Sequence, residues 1–173
     1  DQYRAALQAM AAAWQQAAPL LDPPMSILQV PFENLTLPGY LRIPSGVTRP
    51  PVVVMFPGGD SVKEELYNLG DYIVARGLAF AAFDGPGQGI VSFDAPLRPD
   101  YELVIRAVID SLAGRDDLDI GRLAIGGISY GGLFSIRAAA IDDRVGAVVS
   151  ISSWYTPAGR FEQMPPLLRT GQY

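Results

Sequence analysis

Between residues 52 and 151 the chain alternates short apolar runs with segments of helical period, and this alternation most narrows what it can fold into. Residues 52–56, 78–83, 123–125 and 145–151 are continuous runs rich in Val, Ala, Phe and Ile, as in strands buried on both faces. Between them, Val62, Leu66, Leu69 and Ile73 recur at helical spacing, as do Tyr101, Ile105, Val108 and Leu112, and residues 130–141 form a third helical segment. Strand alternating with helix builds a mostly parallel sheet with helices on both faces, an α/β fold. Ser61-Val62-Lys63-Glu64 has the spacing of a capping box, with Ser61 accepting from first-turn amides and Glu64 reaching back; Gly77 is placed to end that helix.

Two extended segments, residues 27–32 and 35–43, flank Glu33-Asn34 and predict an antiparallel pair at a sheet edge, with Pro38-Gly39 bending the second. Further upstream, Tyr3, Leu7, Met10, Trp14, Ala17 and Leu21 share one helical face, and the helix must stop before Pro23-Pro24. Two placements are open for it: on the surface of the domain, or as the remnant of a helical cap over an active site. The proline pair divides the chain into an N-terminal helical segment, 1–24, and a partial α/β core, 25–173. Beyond Ser152, Pro157, Gly159 and Pro165-Pro166 predict a loop or the entrance to another helical region.

Composition excludes several functions. Eighteen acids against 13 bases give a net charge of −5, without the basic face that nucleic acid requires. The absence of Cys removes disulfides and thiol chemistry. Asp116, Asp117, Asp119, Asp142 and Asp143 read as solvated acids, and without His or Cys no metal site is expected. Asp84-Gly85-Pro86-Gly87-Gln88-Gly89 follows a strand but lacks the G-x-G-x-x-G spacing, and Pro86 makes it a rigid turn; no cofactor is expected. No apolar run reaches the roughly 18 residues of a membrane span, and residues 5–18 lack the basic lead of a signal peptide. Neither membrane nor nucleic acid is therefore an expected partner, and the expected location is cytoplasmic. Twelve of the 13 bases are Arg, which with abundant Ala, Gly and Pro is a compositional trait of GC-rich bacterial genomes.

Chemistry concentrates at Gly127-Ile128-Ser129-Tyr130-Gly131. The letters G-x-S-x-G are weak alone, but here a strand precedes them and a helix follows. In that setting a nucleophile occupies a sharp, strained turn, and side chains two residues before or after it would collide with the turn; hence Gly127 and Gly131. The turn would lift the Ser129 hydroxyl to the carboxyl end of the strands, where open α/β sheets bind ligands. The Tyr130 amide, at the helix start, would then face a developing oxyanion. A second donor is expected after the strand 52–56, in Pro57-Gly58-Gly59-Asp60, with Gly59 the choice. Each feature also has a plain structural reading, as a Gly-rich turn from strand to helix.

These residues resemble the nucleophile elbow of the α/β-hydrolase superfamily. The segments from Phe56 to Glu65 and from Asp84 to Gly89, with the run Pro31 to Tyr40, are similar to the branch containing dihydropseudooxynicotine hydrolase, fungal polyketide-shortening hydrolases and fermentation-respiration switch esterases. The resemblance implies an α/β-hydrolase-type sheet and a Ser-Asp-His triad, of which only Ser129 maps onto this sequence. No His occurs anywhere in the 173 residues. The expectation is therefore a serine hydrolase chain truncated on its C-terminal side and inactive alone. Its substrate would be a small carbonyl compound, cleaved at an ester or at a carbon–carbon bond beside a carbonyl. A non-catalytic binding module of the same fold is the alternative. The resemblance also places residues 52–56 between 78–83 and 123–125, with 145–151 beyond. That strand would be left at an exposed edge, and self-association into a homo-oligomer is expected.

Overall fold

The computed structural model describes residues 2–153. The sequence-based expectation of a loop or helical entrance at Pro157, Gly159 and Pro165-Pro166 falls outside them. Helix α1 spans Gln2–Ala17, strand β1 Met25–Phe32, β2 Leu35–Arg42 and β3 Pro51–Phe56. A 3₁₀ turn at Lys63–Leu66 leads into α2, Tyr67–Val74, followed by β4, Ala79–Phe83, and a second 3₁₀ turn, Gly89–Phe93. Helix α3, Glu102–Ala113, strand β5, Asp119–Ile128, helix α4, Tyr130–Ala139, and strand β6, Val145–Ile151, complete the order.

The six strands form one sheet in the order β1-β2-β4-β3-β5-β6. From β4 to β6 all pairings are parallel, and β1 and β2 join as an antiparallel extension. The expected placement of β3 between β4 and β5, with β6 outside, is the one observed. Strand alternation divides the core into two layers. Val52, Val54 and Phe56 of β3, with Ala79, Ala81 and Phe83 of β4, face α3 and α4. Met55, Phe80 and Ala82 face the opposite way and pack with Leu66 and Val74. Helix α3 buries Val104, Ile105, Val108, Ile109 and Leu112 on its apolar face, and Gly114 caps its end.

Local departures from the sequence reading have physical causes. The hairpin turns at Glu33, which adopts φ 53°, between partners Phe32 and Leu35, as a two-residue loop with primed geometry requires. Pro38-Gly39 does not bend β2. Pairing to β4 begins only at Gly39, so the missing Pro38 amide removes no bond on that side, and a Cβ at Gly39 would lie 2.2 Å from the Phe83 ring. The strand expected at 123–125 extends over ten residues, because β3 and β6 pair with it on both sides.

The capping box is not formed. Val62, not Ser61, is the N-cap of the turn at Lys63–Leu66, and no capping bond comes from its side chain. Ser61 Oγ instead donates to Glu65. The Lys63 amide is capped from another loop, donating to Asp84 Oδ1 at 2.7 Å. Glu64 is drawn inward by a buried ion pair rather than reaching back. Helix α1 lies along the β1–β2 side, with Trp14 against the rings of Tyr40 and Tyr67 and Tyr3 against Phe93. Only Leu7 of its apolar face is fully buried.

Candidate active site

Ser129 stands between the last residue of β5 and the first of α4, with φ 54° and ψ −116°. This is a conformation that L side chains seldom adopt, and two backbone bonds hold it. The Ser129 amide donates to the Ile151 carbonyl at 2.8 Å, and its carbonyl accepts from the Leu133 amide at 3.1 Å. The flanking glycines are required by contact. A Cβ at Gly127 would lie 2.4 Å from the Gly131 carbonyl carbon, and one at Gly131 would lie 2.2 Å from the Phe56 oxygen. Gly132 is similarly confined, by Ser150 Oγ at 2.6 Å, which brings α4 close to β6.

The loop after β3 meets this turn. A Cβ at Gly58 would sit 3.7 Å from Ser129 Cβ, and one at Gly59 would lie 2.8 Å from the Tyr130 ring. Ser129, Tyr130 and Gly59 are thus brought together, although 70 residues separate Gly59 from Ser129. Among the described residues neither the Gly58 nor the Gly59 amide donates to a backbone carbonyl.

Below this loop lies a buried polar cluster that sequence reasoning did not find. The only lysine of the chain, Lys63, is 5% exposed and donates to Glu64 Oε1 at 2.7 Å and Asp84 Oδ2 at 3.1 Å. The Tyr40 hydroxyl donates to Glu64 Oε1 at 3.1 Å, and Lys63 Nζ lies 5.0 Å from the Tyr40 ring centre. Burial pushes the Asp84 carboxyl up to about 6, against the opposing pull of the Lys63 ammonium. Burial disfavours the charge on Lys63, but Asp84 and Glu64 outweigh it and hold its pKa above the ordinary value. The Tyr40 hydroxyl is also raised, by burial first and then by Glu64.

Gln88 is fully buried beside this cluster. Its amide nitrogen donates to the carbonyls of Pro57 at 2.7 Å and Gly58 at 3.2 Å, while its oxygen accepts from the Gly85 amide at 3.1 Å and from the Tyr101 hydroxyl. The Gly89 amide donates to the Ser61 carbonyl at 3.3 Å. The two segments that carried the branch resemblance, one after β3 and one after β4, are therefore bonded to each other. The signals available in sequence were the solitary lysine and the rigid Gly-Pro-Gly turn, neither of which states its partner. No group of acids suited to a metal occurs among the described residues, and no helix there is long and apolar enough to cross a membrane.

A family model described as esterase FrsA-like matches residues 2–158. The hydrolyase poxO of Penicillium oxalicum is 41% identical over 152 residues, covering 79% of this chain and 35% of that protein. The 2,6-dihydropseudooxynicotine hydrolase of Paenarthrobacter nicotinovorans is 36% identical over 137 residues, covering 79% and 37%. The crystal structure of the 2,6-dihydroxy-pseudo-oxynicotine hydrolase superposes with a TM-score of 0.88 at 31% identity, over 95% of this chain and 47% of that one. The chain thus spans between a third and a half of the length of these relatives, and its sheet has the α/β-hydrolase architecture. By its sequence match over nearly its whole length and by its fold, the chain belongs to the FrsA-like esterase family.

Proposed function

We propose that these residues form the nucleophile-bearing part of a serine hydrolase. Ser129 Oγ attacks a carbonyl carbon, its proton passes to an imidazole, and the carbonyl π pair moves onto oxygen. The Gly59 and Tyr130 amides receive that oxyanion, the second helped by the N-terminus of α4. Collapse expels an alcohol from an ester, or a carbanion stabilised by a second carbonyl from a β-diketone, and water then releases the acyl group from Ser129. None of the 173 residues is His, so on this reading the imidazole comes from sequence outside them, and the family resemblance implies the same for its Asp partner. One relative is named for hydrolysis of the small molecule 2,6-dihydropseudooxynicotine, which supports a small carbonyl substrate here.

The observation that carries this reading is the backbone of Ser129. Positive φ occurs in ordinary turns of this chain too, at Glu33 for example, but Ser129 combines φ 54° with ψ −116°, outside the left-handed helical region; that pairing costs about 1–3 kcal/mol of strain, which a turn without chemistry would relieve with glycine. A non-catalytic binding module of the same fold is the second reading, which the missing His would favour only in a natural chain that ends at Tyr173; the strained Ser129 backbone and the glycine contacts weigh against it.

Hydrolysis of a p-nitrophenyl ester tests the proposal. In a polypeptide that carries this sequence together with a triad His, Ser129→Ala should abolish turnover. The 173-residue chain alone should run at near-background rate, unchanged by Ser129→Ala, because loss of the base costs several orders of magnitude. A large Ser129-dependent rate in the chain alone would mean that a base lies within it, and Ser129-independent turnover in the longer polypeptide would remove the proposal.

A further inference from the structure

We infer that Gln88 is a positioning residue for the amides beside Ser129; this rests on the reading of Ser129 as nucleophile. Pro57, Gly58 and Gly59 contribute two successive peptide planes, and Gln88 Nε2 binds the carbonyl of each. In a trans peptide the carbonyl and the following N–H point in opposite directions. Fixing the Pro57 carbonyl on Gln88 therefore turns the Gly58 N–H away from Gln88, and fixing the Gly58 carbonyl does the same to the Gly59 N–H. Gln88 makes the shorter bond to each carbonyl; the Ser61 amide, which also donates to the Gly58 carbonyl at 3.4 Å, supports the second plane only. Such a loop needs an outside restraint, because a Gly-Gly pair has little conformational preference of its own.

The restraint is itself fixed. Gln88 uses both donors and both acceptor positions of its amide, so rotating the group by half a turn would set its NH₂ against the Gly85 N–H and its oxygen against two carbonyls. Tyr101, which donates to Gln88 Oε1, is fully buried and stacks on Phe134 of α4 with ring centres 4.3 Å apart. Phe134 in turn packs on Tyr130. The loop bearing Gly59 and the helix bearing Tyr130 are thus referenced to one another through Gln88, Tyr101 and Phe134. The backbone of Gln88 is anchored too, its amide donating to the Gly85 carbonyl at 2.9 Å. A purely structural staple would be content to hold the loop; this arrangement orients its N–H groups.

The test is made in the esterase-competent polypeptide carrying this sequence, with Gln88→Leu, which keeps volume and removes both donors, and with Ser129→Ala alongside. Misaimed oxyanion donors weaken the transition state but not substrate binding. The expected result is a fall in kcat of about 10- to 100-fold at nearly constant KM, with the inhibition constant of a phenylboronic acid, a tetrahedral mimic, weakened in step. If Gln88→Leu does not fold, Tyr101→Phe carries the test; it removes one hydroxyl and keeps the stacked ring, and a several-fold loss in kcat with the same split is expected. A folded variant of either kind with kcat within twofold of the parent, while Ser129→Ala is dead, overturns the role of Gln88 alone. Turnover that survives Ser129→Ala overturns the reading beneath it as well.

Discussion

Ser129 holds a strained backbone at a turn whose flanks leave no room for side chains: a Cβ at Gly127 would lie 2.5 Å from the Phe56 oxygen, and one at Gly131 2.2 Å from it. Two comparisons separate strain from packing. Ser129→Gly should raise stability by about 1 kcal/mol relative to Ser129→Ala, since only glycine relieves the positive φ. Gly131→Ala should lower it by about 3 kcal/mol, because the new Cβ would meet the Phe56 and Pro57 oxygens at 2.2 and 2.5 Å and backbone must move. Urea unfolding of the three variants checks both, and equal stability of Ser129→Gly and Ser129→Ala would deny the strain.

Among the elements, β6 is the exposed one. It is the last strand of the sheet among the described residues, paired there only with β5, and Val148, Val149 and Ile151 are 42%, 47% and 37% exposed. An apolar strand with no charge and no Pro is a template for pairing with another chain. Expressed alone, the 173-residue chain should self-associate, and Val148→Lys should shift it toward monomer. Size-exclusion chromatography with light scattering reads both, and a freely soluble parent monomer would contradict the expectation. The loops after β3 and β4 are the opposite case. Their polar side chains are buried, and each element supplies what the other lacks: Asp84 caps the Lys63 turn, and Gln88 holds Pro57 and Gly58.

For the molecule as a whole, the buried cluster makes stability depend on pH. Folded Asp84 keeps its proton to about 6, whereas an ordinary Asp, at 3.8, has lost it. The folded state then binds more protons than the unfolded state between those values. The contribution of Asp84 to stability is therefore greatest below about pH 4, declines as pH rises through this window, and levels off above about 6. Asp84→Asn removes the titration, so the unfolding free energy of the parent minus that of the variant should fall between pH 4 and 7. A difference that is flat or rises over that range would show that the Lys63 ammonium, not burial, governs the carboxyl.

The sequence by itself determined the order of strands and helices, because buried strands and amphipathic helices write their periods directly into the apolar pattern. It also determined the turn at Ser129, since Gly127 and Gly131 on either side of one serine, between a strand and a helix, suit few other geometries. Gly59 and Tyr130 could be named from the strand–turn–helix motif, but their contact is a product of β3 lying beside β5. Polar partnerships were beyond local pattern. Ser61 and Glu64 had the spacing of a cap, but Asp84, 21 residues beyond Lys63, took the Lys63 amide, and the Lys63 ammonium drew Glu64 inward. Only tertiary structure decides such pairings, because a buried charge or amide takes whichever partner the packed chain brings within about 3 Å, however far away in sequence it lies.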